Sequence, residues 1–399
     1  MLKKWYQNRD NIHLLILIKF LTALYFYLPY MTLYFLGRGL NLIQINSVWG
    51  IVVLTMFLTE VPTGILADRF NRRRAVQAAI FLQLVGEVLF LFVRTYWLLV
   101  VDAVIAGLGF AFGSGALEAL IYDQLKSENR ADQMKSVMGK LSAASYMGFV
   151  LSFGVSGLLI PQASQVHIRA AILMTCITVG LGFLVTLLLK PENYPEERFE
   201  VQHYPAKILK DGFRLLRRHR KLQRLVLLST LSIAFWDYLG SLYQPYFQQI
   251  GVPDGWFGLT MAAASLAAFF AARSVHHLEE KLGPTLSLLF ATVGPGLIYF
   301  ILTINQQPWI GIAAVVLFRG LNALKAPLFA DYQNRLMASH YRATLLSLIS
   351  MIAGGYTAVL GVIIGAIAER SLSAAFLFCG LVVVGASLIF RMKKSSLEA

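Results

Sequence analysis

Charged side chains inside long apolar runs are the residues of this chain whose chemistry most needs a reason. Lys19, Glu60, Glu87, Glu118, Asp237, Arg319 and Lys325 each lie within such a run. A charge near the centre of a bilayer costs at least about 2.5–3.5 kcal/mol, so each calls for a partner or a function. Glu60 follows Trp49 by eleven residues, Glu87 follows Ala75 by twelve, Arg319 follows Trp309 by ten and Asp237 follows Arg224 by thirteen. At about 1.5 Å of helix rise per residue, each is roughly 15–20 Å from that end of its run. Lys19 is shallower, and Glu118 and Lys325 lie toward the far ends of theirs. Aromatic residues cluster in two of the runs: Tyr25, Phe26, Tyr27, Tyr30 and Tyr34 around Pro29, and Trp236, Tyr238, Tyr243 and Tyr246 around Pro245. Rings with polar tips suit an amphipathic or ring-bearing ligand; plain helix packing is the alternative. The prolines are expected to break both helices.

Enzymatic chemistry finds no such constellation. The seven histidines stand near run ends or in loops, with no deep pair at metal-ligand spacing, and Cys176 and Cys379 are isolated. No glycine-rich phosphate loop is present. No cofactor, metal or catalytic group is expected.

The elements that hold these residues follow from composition. Of 399 residues 57% are hydrophobic and 14% charged, with mean hydropathy +0.63. Soluble domains carry about 25% charged residues, and disorder needs low hydrophobicity, so both classes are excluded. About 20 apolar residues cross a bilayer as helix. Twelve such spans are read: 12–36, 47–66, 75–94, 97–123, 137–160, 166–189, 224–250, 254–275, 284–304, 308–332, 343–367 and 371–390. Helix is chosen because open strand edges stay unpaired in lipid, and the runs lack the alternation of barrel strands.

The net charge of +14 then reports topology. With the N-terminus inside, 28 of 35 Lys and Arg residues fall in cytoplasmic segments, whereas the external loops hold Arg38, Arg94, Arg169 and Arg370. This is the positive-inside pattern, with both termini cytoplasmic, and Trp49, Trp97, Trp256 and Trp309 form an outer aromatic belt. Nucleic acid is not an expected partner; the lipid bilayer is.

The polar stretch Lys190–Gln223 separates two six-span halves, 1–189 and 224–399, with 190–223 as a cytoplasmic linker. Its apolar residues recur at helical spacing among Lys207, Lys210, Arg214, Arg217 and Arg218. A basic helix on the inner membrane surface and a solvated linker both fit. The halves echo one another at an offset near 212: Tyr34-Phe35 with Tyr246-Phe247, Trp97 with Trp309, and Asp68-Arg69-Phe70 with Glu280-Lys281-Leu282. Two structural repeats are expected, an arrangement that places a substrate site between them.

The loop between the second and third spans reads Gly64-Ile65-Leu66-Ala67-Asp68-Arg69-Phe70-Asn71-Arg72-Arg73-Arg74. One carboxylate followed by four cations exceeds what anchoring requires. The loop resembles the signature of the major facilitator superfamily, G-x-L-a-D-R-x-G-R-R-x, and Glu280-Lys281-Leu282-Gly283 is a degenerate copy where the family's second half carries one. The flanking Glu60-Val61-Pro62-Thr63-Gly64, Glu118-Ala119-Leu120-Ile121-Tyr122-Asp123 and Arg342-Ala343-Thr344 resemble a bacterial branch of exporters. Two antiporter signatures of the family are absent: Ala103 stands where the fourth-span motif has arginine, and no Gly-Pro pair follows Gly148, Gly154 or Gly157.

The resemblance implies an all-α membrane protein of twelve helices in two pseudo-symmetric six-helix bundles. It implies a conformational latch: Gly64 allows close approach of the second span to the eleventh, Asp68 with Arg69 faces the start of the eleventh, and Arg72 and Asp123 complete the charge cluster. Asn71 replaces the usual glycine, a mild change because asparagine tolerates left-handed geometry. In the family the first, fourth, seventh and tenth spans line the cavity, which implicates Lys19, Glu118, Asp237, Arg319 and Lys325, with Glu60, Tyr25 and Trp236 beside them. For any one of these a fixed ion pair is the alternative, and for Glu87, on a peripheral span, it is the reading adopted. The expected activity is proton-coupled efflux of a small amphipathic drug or metabolite by alternating access, from a monomer in a bacterial inner membrane. The alternatives are proton-linked uptake of a polar or anionic nutrient anchored by Arg319, and a lipid-handling or enzymatic protein on the same fold.

Overall fold

A computed structural model describes residues 11–190, 213–217, 219–233, 235–337 and 342–392. Among them the secondary structure is helical, without strands. In chain order the helices are α1 (Asn11–Thr22), α2 (Met31–Leu36), α3 (Leu42–Phe70), α4 (Arg72–Phe90), α5 (Tyr96–Gly113), α6 (Ala116–Ser127), α7 (Met134–Leu159) and α8 (Gln165–Leu187). Then follow α9 (Arg220–Ile233), α10 (Phe235–Gln249), α11 (Gly255–Ile304), α12 (Pro308–Ala323), α13 (Lys325–Leu336), α14 (Arg342–Arg370) and α15 (Leu372–Ile389). Among the described residues 8 segments are long and apolar enough to cross a membrane. Large apolar side chains remain exposed along them, for example Leu158 at 74% and Ile389 at 76%, as lipid-facing surface requires. Trp49, Trp97, Trp256 and Trp309 are all exposed as well, and the last two meet edge to face at 5.1 Å.

Contacts divide the chain into two compact units. The first comprises Met1–Leu28, Ile51–Leu159 and Ser164–Gln202; the second comprises Pro29–Gly50, Ile160–Ala163 and His203–Ala399. These units cut across the linear halves, because 29–50 packs with later helices.

Local rules explain the breaks. The chain leaves α1 at Thr22 and resumes in a 3-10 turn, Leu28–Tyr30, that holds Pro29, as expected of a residue without an N–H. Pro245, by contrast, lies inside α10 without ending it, so that expected break is not formed. The 50 residues of α11 contain one non-helical residue, Gly283, at φ 73° and ψ 168°. That kink separates the arms expected as the eighth and ninth spans. Asn71 also has positive φ, 87°, and its side chain caps α4 by accepting the Arg73 N–H at 2.9 Å. Asn71 and Gly283 stand at the offset of the sequence repeat, and so do Gly39 (φ 81°) and Gly251 (φ 75°). At the first pair the backbone sign repeats although the residue type differs.

Within the second unit the Trp49-bearing end of α3 lies directly on α14. A Cβ on Gly365 would meet the Cα of Ile43 at 2.7 Å, one on Gly361 the Asn46 carbonyl at 2.6 Å, and one on Gly50 the Cα of Ala358 at 2.7 Å. Small residues let backbones approach this closely in a membrane. The Leu42 N–H also donates to Glu369 of α14, and α10 adds to the hold on α3 through Ser241 Oγ, which donates to Asn46 Oδ1 at 2.6 Å. Gly64 shows the opposite, with nothing within 4 Å of the place a Cβ would occupy. Where α3 does meet α14 at backbone distance, it uses its first turns.

The α3–α14 contact predicts a contrast between two glycines. Gly365→Val should lower the melting temperature, since overpacking costs about 1–3 kcal/mol. Gly64→Ala should hold or raise it, because alanine is the better helix former by about 0.5–1 kcal/mol. Thermal unfolding of the purified variants checks both.

Candidate functional site

In the first unit α4 and α6 bring together two members of the signature cluster. Arg72, in the first turn of α4, forms an ion pair with Asp123 of α6 and also donates to the Ala119 carbonyl at 3.3 Å. Both side chains are about a quarter exposed, so the pair is partly desolvated. Arg73 donates to the Leu189 carbonyl at 2.9 Å, tying α4 to the end of α8. Asp68 and Arg69 belong to α3, but their side chains lie outside the described residues.

Lys19 of α1 is half-buried and feels the carboxylate of Glu118 on α6, itself exposed. Opposite charges from the first and fourth spans therefore lie near each other within one unit. Glu60 is exposed on α3. Tyr25 falls in the non-helical stretch after α1, and its hydroxyl accepts from Gln83 Nε2 of α4 at 2.8 Å. That position makes Tyr25 part of a polar cluster with α4, and its ring stacks on Phe149 with centroids 6.3 Å apart.

In the second unit Lys325 is 2% exposed. Its Nζ donates to the Ser232 carbonyl of α9 at 2.7 Å. It stands where α12 gives way to α13 at Leu324, and α5 gives way to α6 at Ser114–Gly115 at nearly the same place in the first repeat. Arg319 is half-buried on α12. Asp237 and Trp236 lie on α10, with side chains outside the described residues. Neighbouring Tyr238 is buried and donates to the Thr357 carbonyl. Gln244, fully buried on the same helix, accepts the Thr32 and Leu33 N–H groups at 2.8 and 3.3 Å. It thereby caps α2, whose own N-cap residue, Tyr30, offers no side-chain bond.

Glu87 departs from the sequence reading. It is 7% exposed, and its surroundings are the hydroxyls of Tyr27 and Tyr25 and the carboxyl of Asp102. No cation completes the expected ion pair among the described residues. Asp102 went unselected because a lone acid six residues into an apolar run gives no sign of which helix it faces.

These interrupted spans, buried charges and repeated backbone turns form the frame of a membrane carrier. Residues 15–362 match the Major Facilitator Superfamily. The chain belongs to this family. It is a multi-pass membrane transporter. An uncharacterized MFS-type transporter, YxaM, of Bacillus subtilis (strain 168) is 21% identical over 354 residues, covering 87% of this chain and 86% of its own. The class C tetracycline resistance protein of Escherichia coli is 24% identical over 328 residues, covering 77% and 78%. Among solved structures, the nucleoside transporter NupG reaches a TM-score of 0.79 at 13% identity, with 98% of this transporter and 100% of that chain covered. A D-xylose-proton symporter reaches 0.73 at 12% identity, with 97% and 98% covered. These two likenesses establish the shared fold.

Lys325 yields a test that separates function from folding. A buried ammonium is expensive, so Lys325→Met should leave the melting temperature unchanged or higher. If the lysine serves transport, the same substitution should lower the rate at least about 10-fold, equivalent to about 1.4 kcal/mol in the barrier. Calorimetry and proteoliposome uptake on one preparation measure both.

Proposed function

We propose that this transporter exports a small amphipathic drug or metabolite in exchange for protons, by alternating access. The observation that carries the reading is the placement of opposite charges on the interrupted first, fourth and tenth spans. Lys19 lies near Glu118 in one unit, and buried Lys325 lies on the same span as Arg319 in the other. In this mechanism Asp237 and Arg319 bind and couple, Glu60, Glu118, Lys19 and Lys325 exchange partners as the cycle turns, and Tyr25 and Trp236 contact substrate. Protonation of Asp237 or Glu118 releases an ion pair that an unprotonated carboxylate holds. Gly64, Asp68, Arg69, Arg72 and Asp123 act as the cytoplasmic latch, supported by the contact of Arg72 with Asp123. Efflux is supported by the likeness to a tetracycline resistance protein.

The same reading sets the architecture. Counting α1 with α2, α5 with α6, α9 with α10, α12 with α13 and the two arms of α11 separately gives twelve crossings. We place 1–189 and 224–399 as the two bundles, joined by the 190–223 linker. Of that linker, 213–217 is helical, and Leu216 is buried with Leu222, Val226 and Met337; Lys207, Lys210 and Arg218 lie outside the described residues. Both termini face the cytoplasm of a bacterial inner membrane, and the working form is a monomer.

A second reading is proton-linked uptake of a polar or anionic nutrient held by Arg319. The fold likeness to a D-xylose-proton symporter and to a nucleoside transporter supports it.

Vesicle orientation decides between them. Everted vesicles carrying the exporter should accumulate tetracycline or another amphipathic probe when a proton gradient is imposed. Uptake should need right-side-out vesicles instead. Asp237→Asn and Asp68→Asn should each abolish most gradient-driven flux; if both variants transport at the wild-type rate, the mechanism is wrong.

A further inference from the structure

A second polar centre lies in the first unit, and Tyr25 is its one member among the residues assigned above to substrate and coupling. Glu87 of α4 and Asp102 of α5 are 7% and 8% exposed. Asp102 packs on the turn that carries Glu87, so closely that a Cβ on Gly86 would sit 3.3 Å from its Oδ1. Each element around Glu87 contributes what faces it. From α5 comes the Asp102 carboxyl, from α8 the thiol of Cys176, and from the stretch after α1 the hydroxyls of Tyr25 and Tyr27. None of these groups is basic. Among the described residues neither carboxyl has a Lys or Arg partner, and Glu87 Oε2 is buried with no hydrogen-bond partner at all.

The backbone sharpens the negative character. Gln83, one turn before Glu87, donates through Nε2 both to Tyr25 Oη at 2.8 Å and to the Thr22 carbonyl at 3.1 Å. Thr22 is the last residue of α1, where the helix dipole presents negative potential. Because Tyr25 accepts from Gln83, its own O–H remains free to donate toward Glu87. The Phe26 N–H is fixed by Thr175 Oγ1 of α8 at 3.1 Å, and the Tyr27 ring packs at a tilt on Phe90 with centroids 4.8 Å apart. The unwound stretch is therefore held in place over the two acids.

Two carboxylates buried together without a counter-charge cannot both stay ionised, since each unpaired buried charge costs several kcal/mol. Unwound backbone and helix C-terminal ends are the places where transporters hold coupling cations. We propose that Glu87 and Asp102, with Tyr25 and Tyr27, form a binding site for one small monovalent cation, either a proton shared by the two carboxyls or a sodium ion. The site is separate from Asp237 and Arg319, and its occupancy does not depend on the direction of transport.

The test uses purified full-length protein without substrate, so that failure of the export reading leaves it intact. In the proton arm, infrared spectra are titrated with pH. A protonated-carboxyl band should vanish on alkalinisation in the wild type and be missing in Glu87→Gln and Asp102→Asn. In the sodium arm, melting temperature is measured in sodium chloride against equal choline chloride. A sodium-specific rise should occur in the wild type and be lost in both variants. Tyr25→Phe and Tyr27→Phe keep both acids and should shift the midpoint of whichever titration is present, which serves if an acid variant fails to fold. A difference in either arm that depends on both acids supports the site and names its ion. The site is refuted if the band persists unchanged in the acid variants and sodium and choline act alike, or if the tyrosine variants titrate as the wild type does when the acid variants do not fold.

Discussion

Hydrocarbon offers no hydrogen bond, so every polar group that enters it must find a partner within the protein. The polar contacts of 29–50 show how this chain meets that demand. Gln244 supplies the acceptor that the first turn of α2 lacks. Ser241 answers Asn46, and Tyr243 donates to the Pro29 carbonyl at 2.9 Å. Thr32 and Gln244 are themselves 212 positions apart, the offset at which Tyr34-Phe35 echoes Tyr246-Phe247. The glycines of α14 make these bonds possible by letting α3 come to backbone distance. A side chain at those positions would push α3 away from α14 and from the Glu369 carboxylate that accepts the Leu42 N–H.

The same demand separates what was readable in the residues from what was not. Spans are legible because length and apolarity are physical requirements of crossing a bilayer. The ion pair of Arg72 with Asp123 was legible through the family resemblance, which implies both positions. The kink at Gly283 was legible through the repeat, since Asn71 occupies the matching place. Glu87 misled the reading. A single acid in an apolar run reads as half of an ion pair, and only the packed helices show tyrosines and another acid around it. The α3–α14 contact was not legible in the residues, because which end of α3 meets Gly361 and Gly365 depends on tertiary structure. Pro245 failed as a breaker because a buried helix tolerates a proline when its neighbours satisfy the backbone.

Function follows from which polar contacts are permanent and which must be exchanged. Bonds such as Phe26 to Thr175 lie inside one unit and fix its geometry. The contact of Leu42–Gly50 with α14 belongs to a different class. It joins the start of the second span to the eleventh. A carrier that works by alternating access needs one such contact to part while another forms. The glycines at 361 and 365 supply the surface for the contact seen here.

The claim that the α3–α14 contact is a moving gate can be tested by fixing it. A Cβ built on Gly50 lies 2.8 Å from Ala358 Cβ, close enough for a disulfide after slight adjustment. Gly50→Cys and Ala358→Cys would be combined in a protein whose Cys176 and Cys379 are replaced by alanine. Gradient-driven transport should be lost on oxidation and return on reduction. If the oxidised, fully cross-linked protein transports at the rate of the reduced one, the contact is static and the account is wrong.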